Sequence, residues 1–276
     1  MITSRHNPLA RRARSVRDGR DATRIFAEGL RLCEEAARSG LAIEDVLFTA
    51  KFAGVERGAR LLADLRSSGR VNVAEVSESV LASVSDTKTP QGVAVVARRP
   101  ATDRESFEHA LPAEPLLVVL HGVGNPANAG AALRVAEAAG AAGVVSTAGS
   151  TDLLSPKSLR GSMGSAFRLP LWTGAGFAEV IAWCRSRGVL TVGTDLNAER
   201  AHTGIAWAGA RAVVCGAEAA GLADAEAGAA DQRVRIPMRP PVESLNVAVA
   251  LAVVLYEAAR QRGFPAGRDA RAERDL

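Results

Sequence analysis

The sequence predicts an α/β protein of two domains, the second built on a mostly parallel sheet. Three observations carry that reading. Short apolar runs alternate with helix-length segments along nearly the whole chain. In the C-terminal half the runs at 116–120, 143–147, 189–193, 212–215 and 234–237 are continuously apolar, as expected of parallel strands covered on both faces. Between the halves, residues 98–115 carry three prolines, several charges and little periodicity. The expected division is therefore an N-terminal α/β domain at 1–100, a linker at 101–115, a second α/β domain at 116–264 and a charged, disordered tail at 265–276.

Taken in order, the chain begins with a basic stretch that reads as a helix started by Asn7-Pro8. Residues 26–30 suit a strand end passing into an amphipathic helix that carries Leu32, Ala36 and Ala37 and closes at Gly40. Strands at 46–49, 71–76 and 91–97 and helices at 57–65 and 77–83 complete the first domain. In the second domain the last helix stands out. Val247, Val249, Leu251, Val253, Val254 and Leu255 leave almost no polar face before Glu257, so it is expected to be buried nearly all round, with Ser244 as its N-cap.

Composition narrows the classes. With 47% hydrophobic and 23% charged residues, the 276-residue chain has the makeup of an ordinary soluble globular protein. Cys33, Cys184 and Cys215 lie far apart without CxxC spacing, so neither a metal site nor a disulfide framework is expected. No apolar run approaches the roughly 20 residues that span a bilayer, and the N-terminus lacks the apolar core of a signal peptide. A cytoplasmic protein without a membrane partner is the expectation. Residues 1–31 hold eight Arg against Asp18, Asp21 and Glu28. That end is either a solvated basic terminus or an arm that tracks phosphates through Arg5, Arg11, Arg12 and Arg14.

Three strand ends carry residues of chemical interest. Gly122-Val-Gly-Asn-Pro-Ala-Asn128-Ala-Gly130 opens a helix containing Arg134, but a third glycine is missing where a G-x-G-x-x-G dinucleotide fingerprint needs one. Asn128 and Arg134, six residues apart, are expected on a similar helix face; the alternative is a plain surface Arg. Gly216-Ala-Glu218-Ala-Ala-Gly221-Leu222 places a carboxylate between glycines, suiting either close backbone approach to a ligand or an ordinary strand-to-helix turn. Ile236-Pro-Met238 leads through Pro240 to Ser244-Leu245-Asn246 at the mouth of the last helix. Ligands of open parallel sheets sit beyond the carboxyl ends of strands, so the three can converge.

These motifs, Asn-x-Gly-x-x-x-Arg, Gly-x-Glu-x-x-Gly-Leu and Ile-Pro-Met…Ser-Leu-Asn, resemble in order and spacing those of the SpoU/TrmH branch of the SPOUT methyltransferases. Residues 155–170 are similar to the same family. Ser4-Arg-His-Asn-Pro8, Glu28-Gly-Leu-Arg31 and Thr89-Pro-Gln-Gly92 resemble the RNA substrate-binding domain often fused to it. The resemblance implies a C-terminal α/β trefoil-knot domain behind a smaller N-terminal RNA-binding domain, acting as a homodimer. It implies transfer of a methyl group from S-adenosyl-L-methionine to a ribose 2′-OH of structured RNA, ribosomal rather than transfer RNA. Asn128, Arg134, Glu218, Ser244 and Asn246 fall on active-site positions, and Thr194, Gly216, Ile236, Met238 and Leu245 on cofactor positions; no metal is implied. Ala131, Ala248 and the Arg239-Pro-Pro241 loop depart from the family pattern.

A guanidinium is protonated at any physiological pH, so the base role often given to the Arg134 position is physically unsuitable. Binding the neighbouring phosphate and stabilising the developing alkoxide suits it better. Two other readings remain open: a ribosomal RNA methyltransferase that confers antibiotic resistance, and a non-catalytic RNA-binding protein of the same fold.

Overall fold

The computed structural model describes residues 1–67, 69, 71–218 and 220–264; the tail expected at 265–276 lies outside them. By contacts the chain forms two compact units, each discontinuous in sequence. The first comprises Met1–Ser106, Gly124–Arg134 and Thr151–Leu171; the second comprises Phe107–Val123, Val135–Ser150 and the chain from Trp172 onward.

In the first unit, Pro8 opens α1 (Pro8–Arg17) and Asn7 Oδ1 accepts from the amide of Leu9, as the Asn-Pro pair predicts. Ala10, Ala13 and Val16 line the buried side of α1 and pack with Phe26, Leu47, Val80 and Val96. Each large apolar side chain so buried contributes about 1.5–3 kcal/mol. The strands β1 (Arg24–Glu28), β2 (Ile43–Phe48), β3 (Asn72–Glu75) and β4 (Val93–Arg98) form a sheet in the order β1-β4-β2-β3. β4 runs antiparallel to both neighbours, and β2 and β3 are parallel. Helices α2 (Leu30–Arg38), α3 (Ala50–Ala53), α4 (Glu56–Ser67) and α5 (Glu78–Val84) connect them. All four strand positions agree with the sequence to within a few residues.

The linker stretch holds a short helix, α6 (Arg104–His109). Asp103 starts it by accepting from the amide and hydroxyl of Ser106. Phe107 anchors it, buried in the second unit against Trp172 and Trp183 with ring centroids 6.1 and 5.8 Å away. Phe107 and Leu111, four apart among prolines and charges, are too few to establish a period.

Beyond it, β5 (Leu116–Leu120), α7 (Pro126–Ala138), β6 (Gly143–Thr147), α8 (Pro156–Ser162), α9 (Ser165–Arg168), β7 (Leu171–Ala175) and α10 (Phe177–Ser186) follow in turn. Then come β8 (Leu190–Thr194), β9 (Arg211–Cys215), α11 (Asp224–Ala229), β10 (Gln232–Val234) and α12 (Val247–Gln261). The six strands are ordered β10-β8-β9-β5-β6-β7, and every pairing from β10 through β6 is parallel. The sequence reading does not include β7, which mixes apolar with polar and glycine residues as β6 and β8 do. β10 ends at Val234 rather than running to 237, because the amide of Arg235 turns to the carbonyl of Arg200 and Pro237 has no amide to donate.

Two expectations for α12 are corrected. Its N-cap is Asn246, whose Oδ1 accepts from the amide of Ala248 at 3.0 Å, and not Ser244, which lies two residues before that cap. Nor is α12 buried all round. Leu251, Val254, Leu255 and Ala258 are inaccessible, whereas Val249 and Tyr256 are about half exposed on one stripe of the helix.

Candidate active site

In the second unit three neighbouring parallel strands deliver the loops at their carboxyl ends to one cavity of about 330 Å³. Thr194 to Asn197 follow β8, Gly216 to Asp224 follow β9, and the chain from Arg235 to Leu245 follows β10. That is where an open parallel sheet binds ligands.

The middle loop is shaped by its glycines. Ala217 and Gly221 exchange backbone hydrogen bonds of 3.1 and 2.8 Å, folding the loop into a closed turn with Glu218 within it. Gly221 adopts φ of 66°, open to glycine and costly for other residues. A Cβ on Gly216 would lie 2.1 Å from the carbonyl carbon and oxygen of Gly221, so only glycine fits there. The carboxylate bracketed by glycines thus reflects backbone that closes on itself beside the cavity.

His121, at the end of β5, ties the floor of this region together. Its amide donates to the carbonyl of Cys215, Nδ1 lies 2.9 Å from the hydroxyl of Thr147, and Nε2 lies 2.8 Å from Glu226 Oε1. Glu226 also accepts from the amide of Ala223, at the start of α11. That amide and His121 hold its carboxyl below the usual range. Sequence reasoning missed this pair, since partners 105 positions apart leave no local signal. Asp195 and Asn197, in the loop after β8, also stand on the cavity wall. Cys215 lines the cavity too, but burial pushes its thiol up to about 11, so it is not a thiolate nucleophile.

Seven of the expected site residues meet at the cavity: Thr194, Gly216, Glu218, Ile236, Met238, Ser244 and Leu245. Asn246 lies beside them, with its side chain starting α12. Asn128 and Arg134 lie on the part of α7 that belongs to the first unit, Asn128 half-buried and Arg134 exposed. At 3.6 residues per turn, a separation of six sets them about 120° apart around the helix axis, which corrects the expectation of a shared face. Among the arm residues, Arg5 and Arg11 are exposed. Arg12 instead forms an ion pair with the buried Asp45, and Arg14 donates to Ser83 Oγ and to the carbonyl of Arg5.

Residues 115–256 match the model of the SpoU rRNA Methylase family, and residues 11–95 that of the MRM3-like substrate binding domain. An uncharacterized tRNA/rRNA methyltransferase of Synechocystis is 32% identical across 95% of this chain and 94% of its own length. The chain belongs to the SpoU rRNA methylase family. Among its relatives, the 23S rRNA (guanosine(2553)-2′-O)-methyltransferase RlmP of Bacillus subtilis is 30% identical over 84% of this chain and 87% of that protein. Two similar solved structures contain AdoMet. The rRNA methyltransferase of Sinorhizobium meliloti superposes with a TM-score of 0.82 at 29% identity, over 94% of this chain and 97% of that one. AviRb of Streptomyces viridochromogenes gives 0.84 at 27%, over 95% and 100%.

The cavity suits that cofactor, which is S-adenosyl-L-methionine. Its volume lies in the range of small-molecule sites. It joins apolar walls from Ile236, Met238 and Leu245 to a backbone cradle at Gly216, where the space of a Cβ is already filled by the carbonyl of Gly221.

Proposed function

We propose that this protein methylates the ribose 2′-OH of a nucleotide in ribosomal RNA, using S-adenosyl-L-methionine. One observation carries the reading: all five residues assigned to the cofactor from sequence, Thr194, Gly216, Ile236, Met238 and Leu245, line a single cavity. When bound, the cofactor supplies an electrophilic methyl group on a sulfonium. The protein's share is placement, since in-line displacement depends on holding both reactants in register. Arg134 binds the phosphate beside the target ribose and stabilises the alkoxide as it forms, a task suited to a permanently charged fork. Asn128 and Glu218 orient the reacting groups, and Ser244 hydrogen-bonds the ribose or the cofactor loop. Asn246 holds that loop in place through its cap on α12.

We assign substrate capture to residues 1–100, with 101–115 connecting them to the methyltransferase domain at 116–264. RNA is a partner whose hydroxyl chemistry DNA cannot supply. The exposure of Arg5 and Arg11 supports a role for them in meeting phosphates. The half-exposed stripe of Val249 and Tyr256 supports a homodimer in which a second copy covers α12. The trefoil knot and a cytoplasmic location belong to the same reading. No helix among the described residues is long and apolar enough to cross a membrane.

The test is to map 2′-O-methyl groups across total RNA from cells with and without the protein, and to titrate the purified protein with S-adenosyl-L-methionine by calorimetry. A methyl group on ribosomal RNA that disappears with the protein is expected. An unchanged map together with no heat of binding would overturn the proposal.

A further inference from the structure

The segment Thr151–Leu171, between β6 and β7, belongs by contacts to the first unit, together with the N-terminal sheet. Three ion pairs, at nearly even intervals along it, attach it there. Arg99 grips Asp152 with both guanidinium nitrogens, at 3.0 and 2.6 Å. Arg160 reaches Asp86 at 2.6 Å, and Arg168 pairs with Glu35. The middle pair continues inward. The amide of Asp86 and the hydroxyl of Ser85 both donate to Glu28 Oε2 at 2.8 Å, and Glu28 is a buried residue of β1. α8 itself packs on β1.

The other side of α8 meets the start of α7. A Cβ on Gly130 would lie 2.4 Å from the carbonyl oxygen of Ser158 and 2.9 Å from Gly161 Cα, and one on Gly161 would lie 3.2 Å from Gly130 Cα. Two helix backbones therefore touch with no side chain between them. Such a contact transmits displacement, because neither surface has a rotamer that could absorb it. Gly130 lies one turn before Arg134 on the same helix.

We infer that Asp86 and Arg160 are positioning residues for the methyl transfer. Through Glu28–Asp86–Arg160 and the Gly161–Gly130 contact, they register the helix carrying Asn128 and Arg134 against the N-terminal RNA-binding domain. The inference rests on the proposed function for the roles of those two side chains. RNA seated on the N-terminal domain is thereby presented to Arg134 at a set distance. An error of about 1 Å in such placement can cost about 100-fold in rate.

The experiment compares Asp86→Ala, Arg160→Ala and the charge-swapped Asp86→Arg/Arg160→Asp protein with the wild type. It reads kcat and KM on ribosomal RNA, the affinity for S-adenosyl-L-methionine, and hydrogen exchange of the amides at 129–134 in the free protein. Each alanine protein is expected to lose about tenfold in kcat while KM for RNA and cofactor affinity stay within about twofold. Exchange at 129–134 should quicken while β9 and α12 stay protected, and the swapped pair should recover most of the loss. Unchanged kcat and exchange in both single variants, or a loss confined to KM, overturns the inference. If the alanine proteins do not fold, Asp86→Asn keeps the size, removes the charge and is judged by the same outcomes. A wild type that methylates no ribosomal RNA refutes the proposed function, and exchange at 129–134 then decides the coupling alone.

Discussion

Replacing Gly216 by alanine gives the sharpest test of how the cavity is built. The new Cβ would stand 2.1 Å from Gly221 C and O and 2.4 Å from the amide nitrogen of Leu222. All three are backbone atoms, so no side-chain rotation relieves the clash. Forcing a methyl group into filled space costs about 1–3 kcal/mol, and a wholly backbone contact belongs at the upper end. The loop can escape only by opening the Ala217–Gly221 bridge, which moves Glu218 and the cavity wall together. If the bound state requires the closed loop, the cost appears in binding, where about 1.4 kcal/mol is tenfold and about 3 kcal/mol exceeds 100-fold. Calorimetric titration with S-adenosyl-L-methionine should therefore show Kd raised by roughly 10- to 100-fold. Gly228→Ala is the matched control: its Cβ meets nothing within 4 Å, so affinity should be unchanged. Stability should stay level or rise by up to about 1 kcal/mol, as for glycine to alanine within a helix. A Gly216→Ala protein that binds within about twofold of wild type would refute the cradle.

Arg134→Lys keeps the charge and removes the planar fork; kcat should fall about 100-fold in single-turnover methylation, and near-normal rates would show that bidentate phosphate binding is unnecessary. Glu218→Ala and Asn246→Ala should both lose methylation, and Asn246→Ala should also lose about 1 kcal/mol of stability with its cap; full activity in both proteins would remove them from the site. The two halves of the basic arm should separate. Arg11→Ala should reduce the slope of log affinity for RNA against log salt by about 0.7–0.9, leaving thermal unfolding unchanged. Arg12→Ala should lower stability by about 1–3 kcal/mol, because the buried Asp45 loses its ion pair and, among the described residues, its side chain keeps the bond from Asn72. Glu257 accepts from Arg260 and Gln261, which hold its carboxyl at about 2 instead of the usual 4.5. The lowered value means its stabilisation is complete above about 4.5 and is lost as pH falls towards 2. Denaturant titrations across that window should show a decline that Glu257→Gln removes, and identical curves would show that the carboxylate contributes nothing.

Much of this protein is legible in its sequence because periodicity and capping act locally. Asn7-Pro8 announces α1, and the continuous apolar run at 116–120 announces a buried parallel strand. Spaced glycines around Glu218 announce backbone in close quarters, and the cavity residues from Thr194 to Leu245 follow from motif order. What the sequence could not determine depends on partners distant along the chain. Arg11 and Arg12 are adjacent and chemically identical, yet one is exposed and the other is paired, because successive positions of α1 point about 100° apart and Asp45 of β2 meets Arg12. Ser244 and Asn246 are both good caps in isolation, and the path of the loop from β10 decides that Asn246 starts the helix. His121 finds Glu226 only because β9 lies beside β5 in the sheet. The segment at 151–171 reads as part of the second domain, but its ion pairs to Asp86, Arg99 and Glu35 bind it to the first. Strand order and long-range charge pairing are properties of the folded chain, and strand order assembles the cavity from loops that the sequence leaves apart.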